Sequence, residues 1–280
     1  MSSSYPNIYS RGIFIAGSLL LWVMVSGCSR KMQLSSVQKE KNPISGTEFY
    51  NTIMTKQWKE RDSIASNLIL KGNIPPFLKR LAPVKITIKD SLGHPALHAT
   101  LFVAQDYLSI GNAADWARIP LTPQAAQKIA DRFGCFLPTK KIVDAIYTSA
   151  RVKLEPVPLY IFRDSSVSFW QHHLIIEGQR KGRQGLIAGI KKDVVISSKL
   201  LSSSQPNRVA IYGWHRLNGL PIQPLYTGHV NWYVDYSHGI RLIYRKMKVN
   251  GKWMDYSEVL ADKKLQKLIC DEEDCGVSRY

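Results

Sequence analysis

YGWHRLNGLPIQPLYTGHVNWYVDYSHGIR, residues 212–241, is the stretch from which the fold is best read. Asn218-Gly219 lies between the strand-like runs 209–214 and 221–226. That dipeptide is a strong hairpin signal, because asparagine and glycine tolerate the left-handed backbone that tight hairpin turns use. Runs 230–234 and 240–244 predict two further strands on either side of a Ser-His-Gly turn. The stretch also gathers three of the seven histidines (His215, His229 and His238) and the carboxylate Asp235 among aromatic residues. Chemistry, if the chain performs any, is expected here.

Working outward, residues 186–196 (LIAGIKKDVVI) read as one bent strand or two. Residues 84–88 alternate like a strand, and 99–104 follow as its partner. Asn250-Gly251 marks another hairpin. Helices dominate the first half. Residues 45–47 start one long or two short amphipathic helices that end at 71–73. Thr122-Pro123 supplies a cap and a first-turn proline, and Pro138-Thr139 starts a second helix, which leaves Cys135 in the short connection. Ser166 predicts a helix that packs His173 on the face of Phe169 and Ile176. Residues 159–162 read as a short strand and 256–268 as a closing helix. Helices first and strands later argue an α+β fold: N-terminal helices followed by a mostly antiparallel sheet with hairpins, in a single globular domain over 45–280.

The 280-residue chain is 45% hydrophobic, enough for a real core, and carries a formal charge of +17. Such charge favours nucleic acid, acidic glycan or anionic lipid as partner. The N-terminus decides among them. Residues 13–25 are almost unbroken apolar, too short to span a bilayer and suited to a signal peptide. They end in Val25-Ser26-Gly27-Cys28, which resembles the lipobox of bacterial lipoproteins. That resemblance implies cleavage after residue 27, acylation of Cys28 and a lipid membrane as partner. It makes 28–44 a lipid anchor and flexible tether, places the domain in the cell envelope and excludes nucleic acid. Ser29 after the cysteine implies the outer membrane in a Gram-negative source. The signal peptide removes only Arg11 among the cations, so the mature chain stays basic enough for peptidoglycan or an anionic glycan.

With Cys28 given to lipid, three cysteines remain. Cys270 and Cys275 bracket four acidic residues, and their pairing is geometrically feasible. Cys135 is left as a free thiol. A catalytic thiol needs a base and a group to orient that base. Cys135, with His229 or His238 as base and Asp235 as orienter, forms the leading constellation. Lys140, Lys141 and the helix start at Thr139 would lower the thiol pKa; a small buried core cysteine is the plainer reading. Trp214, His215, Lys192 and Arg241 are the expected substrate contacts, and this reading needs no cofactor. A metal site of His215, His229, Asp235 and His238 is a weaker alternative, because no sharp ligand motif is present.

Ser237-His238-Gly239-Ile240-Arg241 is similar to the Ser-His-Gly-Cys-(Ile/Val)-Arg signature of L,D-transpeptidases, which crosslink peptidoglycan. Here Ile240 follows Gly239 directly and the nucleophilic cysteine is missing, so that activity is not implied. Several segments, among them GNIPPFLKRL and residues 118–147, resemble a recurring family of secreted bacterial proteins, which implies no mechanism. The leading expectation is an envelope lipoprotein that hydrolyses amide or peptide bonds in cell-wall or related material. A non-catalytic binder of an anionic glycan or partner protein comes second, and a metal-dependent hydrolase third.

Overall fold

Hydroxyl and carboxylate caps start most of the helices. The computed structural model describes residues 1–2, 32–34, 37, 40–201 and 206–280. Ser45 accepts from the Glu48 amide at the head of α1 (Gly46–Ile53), which α2 (Trp58–Leu70) follows. Strands β1 (Leu81–Lys89), β2 (Pro95–Ala104), β3 (Ser109–Gly111) and β4 (Trp116–Arg118) come next. Thr122 caps α3 (Pro123–Arg132) and Thr139 caps α4 (Lys140–Ser149), with β5 (Cys135–Phe136) between them. After β6 (Val152–Lys153), α5 (Ser166–Arg180) is capped by Ser165, one residue before the expected Ser166. The rest is mostly strand: β7 (Ile187–Ala188), β8 (Lys192–Val195), β9 (Arg208–His215), β10 (Pro221–Val230), β11 (His238–Gly239), β12 (Ile243–Tyr244), β13 (Lys246–Val249) and β14 (Lys252–Asp255). The last helix, α6 (Tyr256–Ala261), carries a reciprocal capping box between Asp255 and Glu258. It stops earlier than expected, and a separate 3-10 turn covers Leu265–Leu268.

The result is a mixed α+β domain, as the order of patterns predicts. One sheet runs β14-β13-β2-β12-β5, with β1 also on β2. A second runs β10-β9-β8-β11. Both asparagine-glycine hairpins form, β9 with β10 and β13 with β14, both antiparallel. Asn250 and Gly251 take the left-handed φ values of 47° and 83° that such a turn requires. The outer pair of the second sheet departs from the antiparallel pattern: β11 lies parallel to β8. Phe49, Leu101, Phe136, Ile142 and Ile243 lie in the main core, where the Phe136 and Tyr256 rings stack at 4.2 Å.

Several expectations change. The expected Ser-His-Gly turn falls at Tyr236-Ser237, His238-Gly239 form β11, and only 243–244 of the expected strand 240–244 is strand. Residues 159–162 form no strand; two prolines precede them and Phe162 has φ 46°, which breaks extended backbone. Residues 231–234 form no strand, because the chain turns at 231–232, where the Tyr233 amide donates to the Val230 carbonyl. Part of the expected tether is fastened to the body: the Leu34 amide donates to the Lys79 carbonyl, the Leu81 amide donates to that of Met32, and Leu34 and Val37 are buried. Cys270 and Cys275 form a disulfide with Cα atoms 6.2 Å apart, and Cys135 is a free, buried thiol. The lipobox at 25–28 lies outside the described residues. Among the described residues no helix is long and apolar enough to cross a membrane.

Candidate acid–base site

The parallel pairing of β8 with β11 builds the site. His238 sits opposite Lys192 and Gly239 opposite Asp193, and the Lys192 amide donates to the Ser237 carbonyl at 2.7 Å. A side chain on Gly239 would collide, its Cβ meeting the Tyr107 ring at 2.5 Å and Lys191 Cβ at 2.7 Å. Glycine is therefore what lets the strands close. Asp235 folds the preceding turn onto itself, its Oδ1 accepting from the Ser237 amide at 2.8 Å and from the Ser237 hydroxyl. Its Oδ2 accepts from Arg163 Nη2 at 2.7 Å.

His238 is buried, with Nε2 3.9 Å from Asp235 Oδ1 and without a hydrogen-bond partner. Burial pushes this imidazole down to about 4, against the pull of Asp235, so it is neutral at ordinary pH. Burial pushes Asp235 up, but His238, Ser237, Lys192 and Arg163 outweigh it and hold the carboxyl at about 2. At neutral pH His238 carries no charge, which leaves Ser237, Lys192 and Arg163 to hold the anion. His229, half-buried near the end of β10, brings its ring to 5.9 Å from that of His238 and 4.8 Å from that of Tyr233. Lys192 Nζ lies 5.1 Å over the Trp214 ring.

A second lysine lies behind this pair. Lys191 Nζ is buried, donates to the Tyr236 carbonyl and sits 3.2 Å from His172 Nδ1. Burial, with Arg118 adding to it, pushes its amine down to about 7. A folded pKa below the unfolded value means that the unfolded chain binds the extra proton between about 7 and 10.5, so Lys191 penalises the fold most at low pH. The stability of Lys191→Met relative to wild type is therefore expected to fall by about 4 kcal/mol from pH 6 to pH 10, turning from stabilising to destabilising as the hydrogen bonds it lacks begin to dominate. Urea titrations at the two pH values check this; one sign at both would refute it.

Of the expected site residues, the structure brings together His229, Asp235, His238, Lys192 and Trp214. Cys135 is not joined to them. It pairs with Tyr244 in the other sheet, and its thiol donates to the Phe133 carbonyl at 3.6 Å. Burial alone pushes that thiol well above its ordinary range, and neither Lys140 nor Lys141 offsets the shift. Such a thiol is a poor nucleophile. His215 is drawn elsewhere, its Nε2 3.0 Å from Asp144 Oδ1 and its ring stacked on Tyr147 at 4.5 Å. Arg241 is fully buried beneath the site, donating to the carbonyls of Ala104 and Ile187 with its guanidinium 3.9 Å over Tyr107. It holds backbone and is not placed to touch substrate. The four-ligand metal set fails with His215, and among the described residues no group of three or more His, Cys, Asp or Glu is arranged to hold a metal ion.

Two participants escape sequence reasoning. Arg163, 72 positions before Asp235, carries no spacing signal. Lys191 lies in the expected strand 186–196, but nothing in the sequence marks it as the lysine that packs its amine against His172. Another polar cluster is equally hidden. Arg118 binds Asp106 at 2.8 and 2.6 Å and Glu177 at 2.8 Å, beside a cleft of about 360 Å³ lined by Phe77, Arg80, Trp116 and Arg180.

Compared with known protein families, curated proteins and solved structures, the chain matches none.

Proposed function

We propose that this chain is a cell-envelope lipoprotein, anchored through acylated Cys28, that hydrolyses amide or peptide bonds in cell-wall or related material. Its acid–base centre is Asp235, His238 and His229, and the nucleophile is water. One observation carries the reading: a buried, neutral imidazole whose unpartnered Nε2 faces an ionised carboxylate. A neutral imidazole can take a proton from water, and an adjacent carboxylate stabilises the imidazolium that forms. Half-buried His229 lies next to that pair, its ring 5.9 Å from that of His238, and Arg163, paired with Asp235 but 41% exposed, can also meet an acidic substrate. Water replaces the thiol because Cys135 is held protonated in the other sheet. In a Gram-negative source, Ser29 favours the outer membrane.

A second reading, a non-catalytic binder of an anionic glycan, draws on the complete engagement of Asp235 by Ser237 and Arg163. One experiment separates the two. Purified protein is incubated with peptidoglycan sacculi, and released fragments are identified by mass spectrometry. Hydrolysis predicts new amide-bond products, a loss of roughly 100-fold or more in His238→Gln and little change in Cys135→Ala. Binding without products supports the second reading. Loss of turnover in a folded Cys135→Ala protein would restore the thiol.

A further inference from the structure

The turn before α5 presents three large apolar side chains to solvent. Tyr160, Ile161 and Phe162 are 85%, 71% and 76% exposed. Consecutive exposure of this kind is costly in water unless something covers it. The tip is also held firmly. The Leu159 amide donates to the Tyr236 hydroxyl at 2.7 Å, the Tyr236 amide donates to the Arg163 carbonyl at 2.9 Å, and the Ser165 amide donates to the Phe162 carbonyl at 3.0 Å. Phe162 takes a left-handed φ of 46°, unfavourable for a bulky residue, and so the backbone bends at the tip. The residues on both sides are bonded into the fold, while the three apolar side chains face out.

The apolar surface continues beyond the tip. The Ser166 hydroxyl donates to the Ile53 carbonyl, and Arg61 Nη1 donates to the Asp164 carbonyl, which brings the α1–α2 connection beside the start of α5. Exposed Met54, Trp58 and Val167 lie on these segments. Lys56, Lys59 and Arg163 are the basic residues of that edge, against Glu60 and Asp164; Lys56 pairs with Glu60 and Arg163 with Asp235, while Lys59 Nζ lies 5.6 Å over the Trp58 ring. The chain as a whole is strongly cationic at +17.

We propose that Tyr160, Ile161 and Phe162 insert into the headgroup region of an anionic phospholipid bilayer, a membrane contact separate from any acyl chain on Cys28. Aromatic and aliphatic side chains favour the interface between headgroups and acyl chains, and cationic flanks add attraction to anionic lipid. A rigid tip suits this occupant, since insertion then orders little that was free.

The test uses the full chain carrying Ile161→Cys, labelled with an environment-sensitive fluorophore, in vesicles of phosphatidylcholine with phosphatidylglycerol. Leu92→Cys, on another loop and 78% exposed, is the control. The label at 161 should shift to the blue, and nitroxide lipids should quench it at least about fivefold more than the label at 92. Adding Tyr160→Ser and Phe162→Ser, or omitting phosphatidylglycerol, should reduce that quenching. A label at 161 as open to aqueous iodide as the control, in protein that sediments with the vesicles, overturns the tip proposal and leaves the lipid anchor standing. Protein that does not sediment with the vesicles overturns both. Burial of the label only when envelope proteins are added would also overturn it, assigning the tip to a protein partner.

Discussion

Arg118→Met is expected to lower stability by about 3–5 kcal/mol, the cost of leaving a buried carboxylate without its partner. Arg118 and Asp106 have side chains only 1% and 2% exposed, and their guanidinium–carboxylate contact is bidentate. Burial pushes the Asp106 carboxyl up, but Arg118 more than reverses this and holds it below its usual range. Without the arginine, Asp106 keeps the Tyr107 amide and Arg180 Nη1 at 3.9 Å but loses its bidentate partner, and must take a proton or remain a poorly paired buried anion. Glu177 also loses its bond to Arg118, but it is partly exposed and water can replace the contact. For a domain of this size the loss corresponds to a melting shift of about 6–20 °C. Asp106→Asn combined with Arg118→Met should cost clearly less than the sum of the single changes, because no unpaired charge remains. Calorimetry on the three variants decides the matter. A shift under about 2 °C for Arg118→Met would mean that the pair is not the buried unit described.

His238→Gln is expected to change the acid sensitivity of the fold. His238 is held at about 4, below its unfolded value of 6.5. Between those values the unfolded chain binds a proton that the folded chain refuses. The stability owed to a neutral His238 is complete above pH 6.5 and falls as the pH drops toward 4, by about 3 kcal/mol. The stability difference between wild type and His238→Gln should therefore shrink by about that amount from pH 7 to pH 4. His172 and His173 act with the same sign, because burial holds both well below their ordinary value. Asp193 acts oppositely: burial raises it to about 6, so its contribution grows as the pH falls. These three are present in both proteins and largely cancel in the difference. Denaturant titrations at several pH values give the result, and a constant difference would show that His238 titrates normally.

Local signals carried far along this chain. Ser45, Thr122-Pro123 and Thr139 start helices because a cap needs only its own neighbours. Asn218-Gly219 and Asn250-Gly251 turn hairpins for the same reason. Residues 159–162 were less legible: an apolar run reads the same whether it pairs in a sheet or forms an exposed tip, and only the absence of a partner strand separates the two. The site was half legible. Asp235 and His238 are three residues apart, so their meeting follows from the turn. Arg163, Lys191 and His172 arrive from other elements, and their roles depend on burial that spacing does not record. Cys135 was singled out by elimination among cysteines, a chemical argument that holds no information about which sheet encloses the thiol.

The parallel pairing of β8 with β11 has a kinetic side. Lys192 and His238 are neighbours in space, yet the whole β9–β10 hairpin lies between them in the chain. Closing so long a loop is entropically unfavourable until the intervening hairpin has shortened it. The short β11 edge, with only two paired residues, is thus expected to dock after β8, β9 and β10 have assembled. Asp235 and His238 would then meet their partners at a late step, so a chain arrested short of that docking holds a nearly complete sheet in which His238 is still unburied.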